Sequence, residues 1–191
     1  MKKTVFTLCF ILVLTLFIAA IPTEEDYAIY EDTLRLHILP SSDSKEDQAL
    51  KLEIRDKLLQ GCAKGEYGEV TPNMNDDEKQ DVVKAVERDV NQWLRDLGSE
   101  DLCSVRIEME WFPTRDYTDF SLPCGYYEAL IIDIGAAEGQ NWWCVMYPPL
   151  CLDIATEDYT PEPVYTEEEE MLIRGYSVKF KVLELINTIL K

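Results

Sequence analysis

Cys103-Ser104-Val105-Arg106-Ile107-Glu108-Met109-Glu110-Trp111-Phe112 is the stretch that decides the fold. Val105, Ile107, Met109 and Trp111 alternate with Arg106, Glu108 and Glu110. That period of two predicts a strand with its apolar set inward, and Pro113 stops it. Immediately upstream the period is helical, with Val82, Val86, Val90, Trp93 and Leu97 forming one apolar face. Asn75 and Glu78 make a capping-box pattern at its start, and Gly98 stands as the stop. A strong helix running straight into a strand, without regular alternation of the two, predicts an α+β fold rather than a doubly wound sheet.

Downstream, residues 114–124 lead to Tyr126-Tyr127-Glu128-Ala129-Leu130-Ile131-Ile132-Asp133-Ile134, a second strand rich in β-formers. The short linker favours an antiparallel pair. Towards the N-terminus, Leu34-Arg35-Leu36-His37-Ile38-Leu39 also alternates. It reads as a short half-buried strand with Arg35 and His37 on a solvent or edge face, ended by Pro40. Ser41, Ser42, Asp43 and Ser44 offer N-cap oxygens for a helix over 44–60. Leu50, Ile54 and Leu58 form its expected stripe, Gly61 its expected end, and 61–73 a loop. The expected architecture is a small antiparallel sheet packed with two or three helices. It forms a single extracytoplasmic domain over 33–191, preceded by a spacer at 22–32. Residues 153–168 read as an acidic linker. A helix over 167–191 carries Val178, Val182, Leu185, Ile186 and Ile189 on one face.

The densest apolar stretch is Gly139-Gln140-Asn141-Trp142-Trp143-Cys144-Val145-Met146-Tyr147-Pro148-Pro149-Leu150-Cys151. Two adjacent indoles bury large areas and each has an N–H needing a partner. Pro148 and Pro149 remove two backbone donors, which excludes helix interior and central strand. Cys144 and Cys151 bracket the prolines closely enough for a small disulfide loop. The stretch therefore serves as a stapled core corner, as a rigid aromatic anchor for a partner, or as both.

The N-terminus carries Lys2 and Lys3, an apolar or small run from Val5 to Ile21, and Ala19-Ala20 at a plausible cleavage position. Residues 1–21 are expected to be a secretory leader or an uncleaved anchor, either of which places the remainder outside the cytoplasm. The formal net charge is −19. Such a chain repels nucleic acid and anionic headgroups, so membrane contact is expected only through the N-terminal segment. Five cysteines lie beyond the leader: Cys62, Cys103, Cys124, Cys144 and Cys151. Cys144–Cys151 is the first candidate bridge and Cys103–Cys124 the second. With no Cys-x-x-Cys and a single histidine, no metal site is expected, and no motif calls for a cofactor.

Enzyme chemistry would have to begin with His37, near Ser41, Ser42, Asp43 and Ser44. No Gly-x-Ser-x-Gly elbow accompanies it and no acid is placed to orient it. Among 37 acidic residues nothing singles out a glycosidase pair. The glycines at 61, 65 and 68 are not framed as a phosphate loop.

Two segments together resemble the stage II sporulation protein R family of endospore-forming bacteria. One runs from Leu34 through Pro40-Ser41-Ser42-Asp43-Ser44 and Asp47-Gln48-Ala49-Leu50-Lys51-Leu52 to Ile54-Arg55-Asp56. The other begins at Gly125-Tyr126-Tyr127-Glu128-Ala129-Leu130 and includes Ile134-Gly135. It then continues from Gly139 through Asn141-Trp142-Trp143-Cys144 to Tyr147-Pro148-Pro149-Leu150-Cys151. Pro40-Ser41 stands where the family more often has Ala-Asn, and Cys124 where a residue such as Ala is usual. The resemblance implies an exported signalling protein rather than an enzyme. It would be made in the forespore and activate a membrane-embedded aspartic protease of the mother cell, the stage II GA protease, which processes the sigma-E precursor. Candidate contact residues are Asn141, Trp142, Trp143, Tyr147, Pro148 and Pro149, held by Cys144 and Cys151. A second patch is Arg35, His37, Asp43, Asp47 and Gln48. A secreted hydrolase centred on His37 and a passive envelope protein are the alternatives.

Overall fold

The structure is a computed structural model that describes residues 2–19, 24–117 and 121–148. Its elements in chain order are α1 (Lys2–Ala19), α2 (Glu24–Glu31), β1 (Leu34–Leu39), α3 (Lys45–Ala63), α4 (Asp76–Asp96), β2 (Cys103–Phe112), β3 (Arg115–Asp116), β4 (Ser121–Leu122), β5 (Gly125–Ile134) and β6 (Trp142–Tyr147). The chain divides into two compact units. Among the described residues, one comprises 2–19, 24–29, 111–117 and 121–125, and the other comprises 30–110 and 126–148.

The first unit contains α1 and the β3–β4 ribbon. Arg115 pairs with Leu122 and Asp116 with Ser121, and the Ser121 hydroxyl donates to Asp116 Oδ1 at 2.6 Å. On α1, Val5, Phe6, Phe10, Ile11 and Leu14 are all exposed. Among the described residues no helix is long and apolar enough to cross a membrane.

The second unit carries the main sheet, in the order β2-β5-β1-β6. The class is α+β, as the sequence implies, but the sheet is mixed. β1 runs parallel to β5, with Leu36 opposite Leu130 and Ile38 opposite Ile132. A parallel neighbour requires a long crossover, and the segment carrying α3 and α4 supplies it. β1 runs antiparallel to β6, with Leu36 opposite Cys144 and His37 opposite Trp143. Flanked on both edges, β1 is a central strand, not a half-buried one. Leu34, Arg35, Leu36, His37 and Ile38 are all buried.

Local chemistry explains both helices. Ser44 caps α3, its hydroxyl accepting from the Asp47 amide, with Glu46 and Asp47 in the first turn. The helix does not end at Gly61 but continues to Ala63. Gly61 is buried within it because a Cβ there would lie 2.8 Å from the Tyr67 ring. The buried stripe also differs from Leu50-Ile54-Leu58: Lys51 takes the first place, beside Ile54, Leu58 and Leu59. On α4 the capping box between Asn75 and Glu78 is fully formed. Val82, Val86 and Val90 are buried as the period requires, but Leu94 completes the face and Leu97 is 39% exposed. Gly98 follows at φ 79°, the left-handed conformation of a helix stop. On β2, Val105 is buried while Met109 lies exposed. Lys79 of α4 pairs with Glu128 of β5 at 2.5 Å, tying helix to sheet.

Candidate functional site

The two motif segments, far apart in the chain, fold into one place. β1 and β6 form the ladder, and the connections that follow β1 and precede β6 interlock at one end of it. The Gly139 amide donates to Pro40 O at 3.1 Å and the Glu138 amide to Ser41 O at 3.3 Å. The Ala136 amide donates to Ser41 Oγ at 3.2 Å. Asp43 Oδ1 accepts from the Gln140 amide at 2.6 Å and from Gln48 Nε2 at 3.2 Å. Gln48 Nε2 also donates to Ser42 O, and the Ser42 hydroxyl to Asp47 Oδ2. Close approach of the two backbones requires glycine at 139, where a Cβ would collide with the Ser42 carbonyl and lie 2.7 Å from the Pro40 ring. Gly135 has φ 59° and abuts the Asp101 carboxylate. Asp43, Asp47 and Gln48 are therefore parts of a latch, and their hydrogen-bonding capacity is directed at the turn.

Lys51 closes the latch from below. Its ammonium donates to Gln140 O at 2.7 Å and to Gln48 Oε1 at 2.6 Å while the residue is 4% exposed. Burial pushes its pKa down, and the Asp43 carboxylate opposes that shift.

Paired residues of a ladder project to the same face. Trp143 therefore shares a face with His37, and Trp142 shares the opposite face with Ile38. His37 and Trp143 are stacked, ring centroids 4.0 Å apart at 13°. On the same face Arg35 is completely buried, donating from Nε to Cys144 O at 3.1 Å. Its guanidinium lies 5.0 Å from the Tyr127 centroid, and Tyr127 meets Tyr30 edge-on. Desolvation pulls the His37 pKa down to about 4, against a hydrogen bond with Asn141 and the Asp133 carboxylate. The Arg106 and Arg35 charges add to the lowering. Arg106 is itself ion-paired with Asp133. On the helix side, Arg55 of α3 stacks over Trp142 at 4.3 Å, and among the described residues the buried Trp142 Nε1 finds no acceptor.

Several expectations need correction. Arg35 and His37 do not face solvent, because β1 has a strand on each edge and both its faces are covered. The aromatic stretch is not a corner throughout: Trp142–Tyr147 is a strand, and the bend falls at Pro148, after a cis Tyr147–Pro148 bond. Both indoles are only partly accessible. Cys103 and Cys124 carry thiols, so they do not bridge; Cys62 is also a thiol. Cys144 is disulfide-bonded, whereas Pro149 and Cys151 lie outside the described residues, as do the expected linker and C-terminal helix. Tyr147 pairs with Leu34 at the far end of the ladder from the latch.

The arrangement brings His37 together with Trp143 and Asn141 rather than with a nucleophile. The hydroxyls of Ser41, Ser42 and Ser44 are engaged by Ala136, Asp47 and the Asp47 amide. Among the described residues no cluster of three metal-ligating side chains occurs. Sequence reading missed Lys51, Arg55 and Gln140. The available signal was the position of Lys51 three and seven residues before Ile54 and Leu58, where a lysine occupies a core slot.

Comparison with known proteins gives a consistent result. Residues 30–157 match the profile of the family described as Stage II sporulation protein R. The Bacillus subtilis (strain 168) protein named Stage II sporulation protein R is 30% identical over 98% of both chains. No solved structure matches.

Proposed function

The chain belongs to the stage II sporulation protein R family, and from that premise we propose that it is an exported signal that activates the membrane-embedded stage II GA protease. A role in sporulation follows from membership itself. The finer reading is that the protein crosses the forespore membrane into the intermembrane space, by a leader or anchor at residues 1–21. There it binds the exterior of the mother-cell protease and favours its active arrangement. A ligand that binds one conformation better shifts the population towards it and needs no chemistry of its own. Sigma-E precursor processing is then the protease's reaction, triggered from outside.

One observation carries this reading. The two family motifs converge on a single latched turn and ladder whose titratable groups are committed to holding shape. Such rigidity suits recognition, since a preorganised surface loses little entropy on binding. Lys2 and Lys3 before the outward-facing apolar residues of α1 support export. A Cys144–Cys151 bridge, with Cys144 already disulfide-bonded, would fix the Pro148 bend beyond β6. The test is to add the purified chain to the outer side of membranes holding the protease and the sigma precursor. Processing that starts only on addition supports the reading; processing indifferent to addition refutes it.

A further inference from the structure

β6 and its approach are held by three cations at alternate residues. Lys51 Nζ donates to Gln140 O, the Arg55 guanidinium stacks on the Trp142 ring, and Arg35 Nε donates to Cys144 O. Lys51 and Arg55 stand one helical turn apart on α3, so a single helix face fixes both Gln140 and Trp142. An apolar side chain of similar volume would fill the Lys51 slot without the cost of burying an ammonium. What an apolar residue cannot do is direct a carbonyl. The ammonium reaches the Gln140 carbonyl and the Gln48 amide oxygen together, setting the chain direction just before Asn141. Arg55 then holds the adjacent indole by its face, Nε1 having no acceptor among the described residues.

We propose that Lys51 and Arg55 are positioning residues for the partner-contact surface, setting the placement of Asn141, Trp142 and Trp143 without touching the partner themselves. The inference rests on the signalling reading above. Arg55 is anchored by Asp56, which bonds its Nε at 2.7 Å, so its ring contact is itself oriented. The pair thus links the latch to the indoles through one rigid helix.

The experiment titrates the full-length chain against membranes carrying protease and precursor, as wild type and as the Lys51→Met/Arg55→Met double variant. Amide exchange and the Trp142 indole N–H resonance are followed in the same samples. The expected result is a half-maximal concentration raised about tenfold, the scale of one lost interface anchor, with an unchanged plateau. The indole resonance shifts and exchange at Gly139 and Gln140 quickens, while Val86 and Val90 in α4 stay protected. A double variant with wild-type potency overturns the positioning role. So does a plateau that falls together with α4 protection, which marks general unfolding. If wild type triggers nothing, the signalling reading and this role fall together; if wild type works and the double variant works equally, only this role falls.

Discussion

His37 and Trp143 lie face to face across the β1–β6 ladder, 4.0 Å between ring centroids. The stack places the chain's single histidine inside the protein, where its neutral form is favoured. The folded pKa of about 4 lies below the unfolded value near 6.5. The unfolded chain therefore binds the proton first. Stability from this group is fully present above about pH 6.5 and is lost as pH falls towards about 4. A proton NMR titration follows the one imidazole directly. A midpoint near 4 is expected, and one near 6.5 would place the ring in water. His37→Phe is expected to flatten the wild-type decline in stability across that window.

Gly139 is required by contact with the opposing turn rather than by backbone angle. Gly139→Ala would drive a methyl group into the Ser42 carbonyl and the Pro40 ring. Overpacking of this kind costs about 1–3 kcal/mol. Urea denaturation is expected to show a lower midpoint with an unchanged slope; an unchanged midpoint would mean the turns are not in contact.

Asp43 ties the same turns by hydrogen bonding. Asp43→Ala removes the acceptor of the Gln140 amide and of Gln48 Nε2, with an expected loss of about 1 kcal/mol. Asp43→Asn keeps an oxygen there and is expected to retain most of the stability. Thermal unfolding of the two variants side by side checks the order, and equal losses would contradict it.

The thiols are expected to be inert. Burial pushes Cys62 and Cys103 up to about 12, helped by Glu66 and Glu87 respectively, so almost no thiolate exists at neutral pH. Alkylation at pH 7.5 followed by peptide mapping is expected to label both only after denaturant is added. Rapid labelling of either in the native protein would contradict its surroundings.

What was legible in the sequence was local. The Asn75–Glu78 box and the Gly98 stop announce themselves within a few residues and stand as read; Cys103–Phe112 is the strand its period predicts, but Met109 of the expected inward set is exposed. What was not legible depends on distant partners. Gly61 looks like a helix end until Tyr67 is seen to occupy the space a side chain would need. Arg35 and His37 look exposed by alternation, and only the arrival of β5 and β6 on either side of β1 buries them. Lys51 looks like a surface residue because buried ammonium groups are rare, and its acceptor on Gln140 lies far along the chain. Trp142 and Trp143 look like one unit in the sequence, whereas the ladder sends them to opposite faces with different partners, Arg55 and His37.

Whether the protein acts by binding alone is decided most directly by a dose–response measurement in reconstituted vesicles. Sigma-E precursor cleavage is followed as the purified chain is titrated outside, with and without the protease in the membrane. The expected result is a rate that saturates with the added chain and vanishes when the protease is omitted. Cleavage in vesicles lacking the protease, or a rate that ignores the added chain, would contradict it.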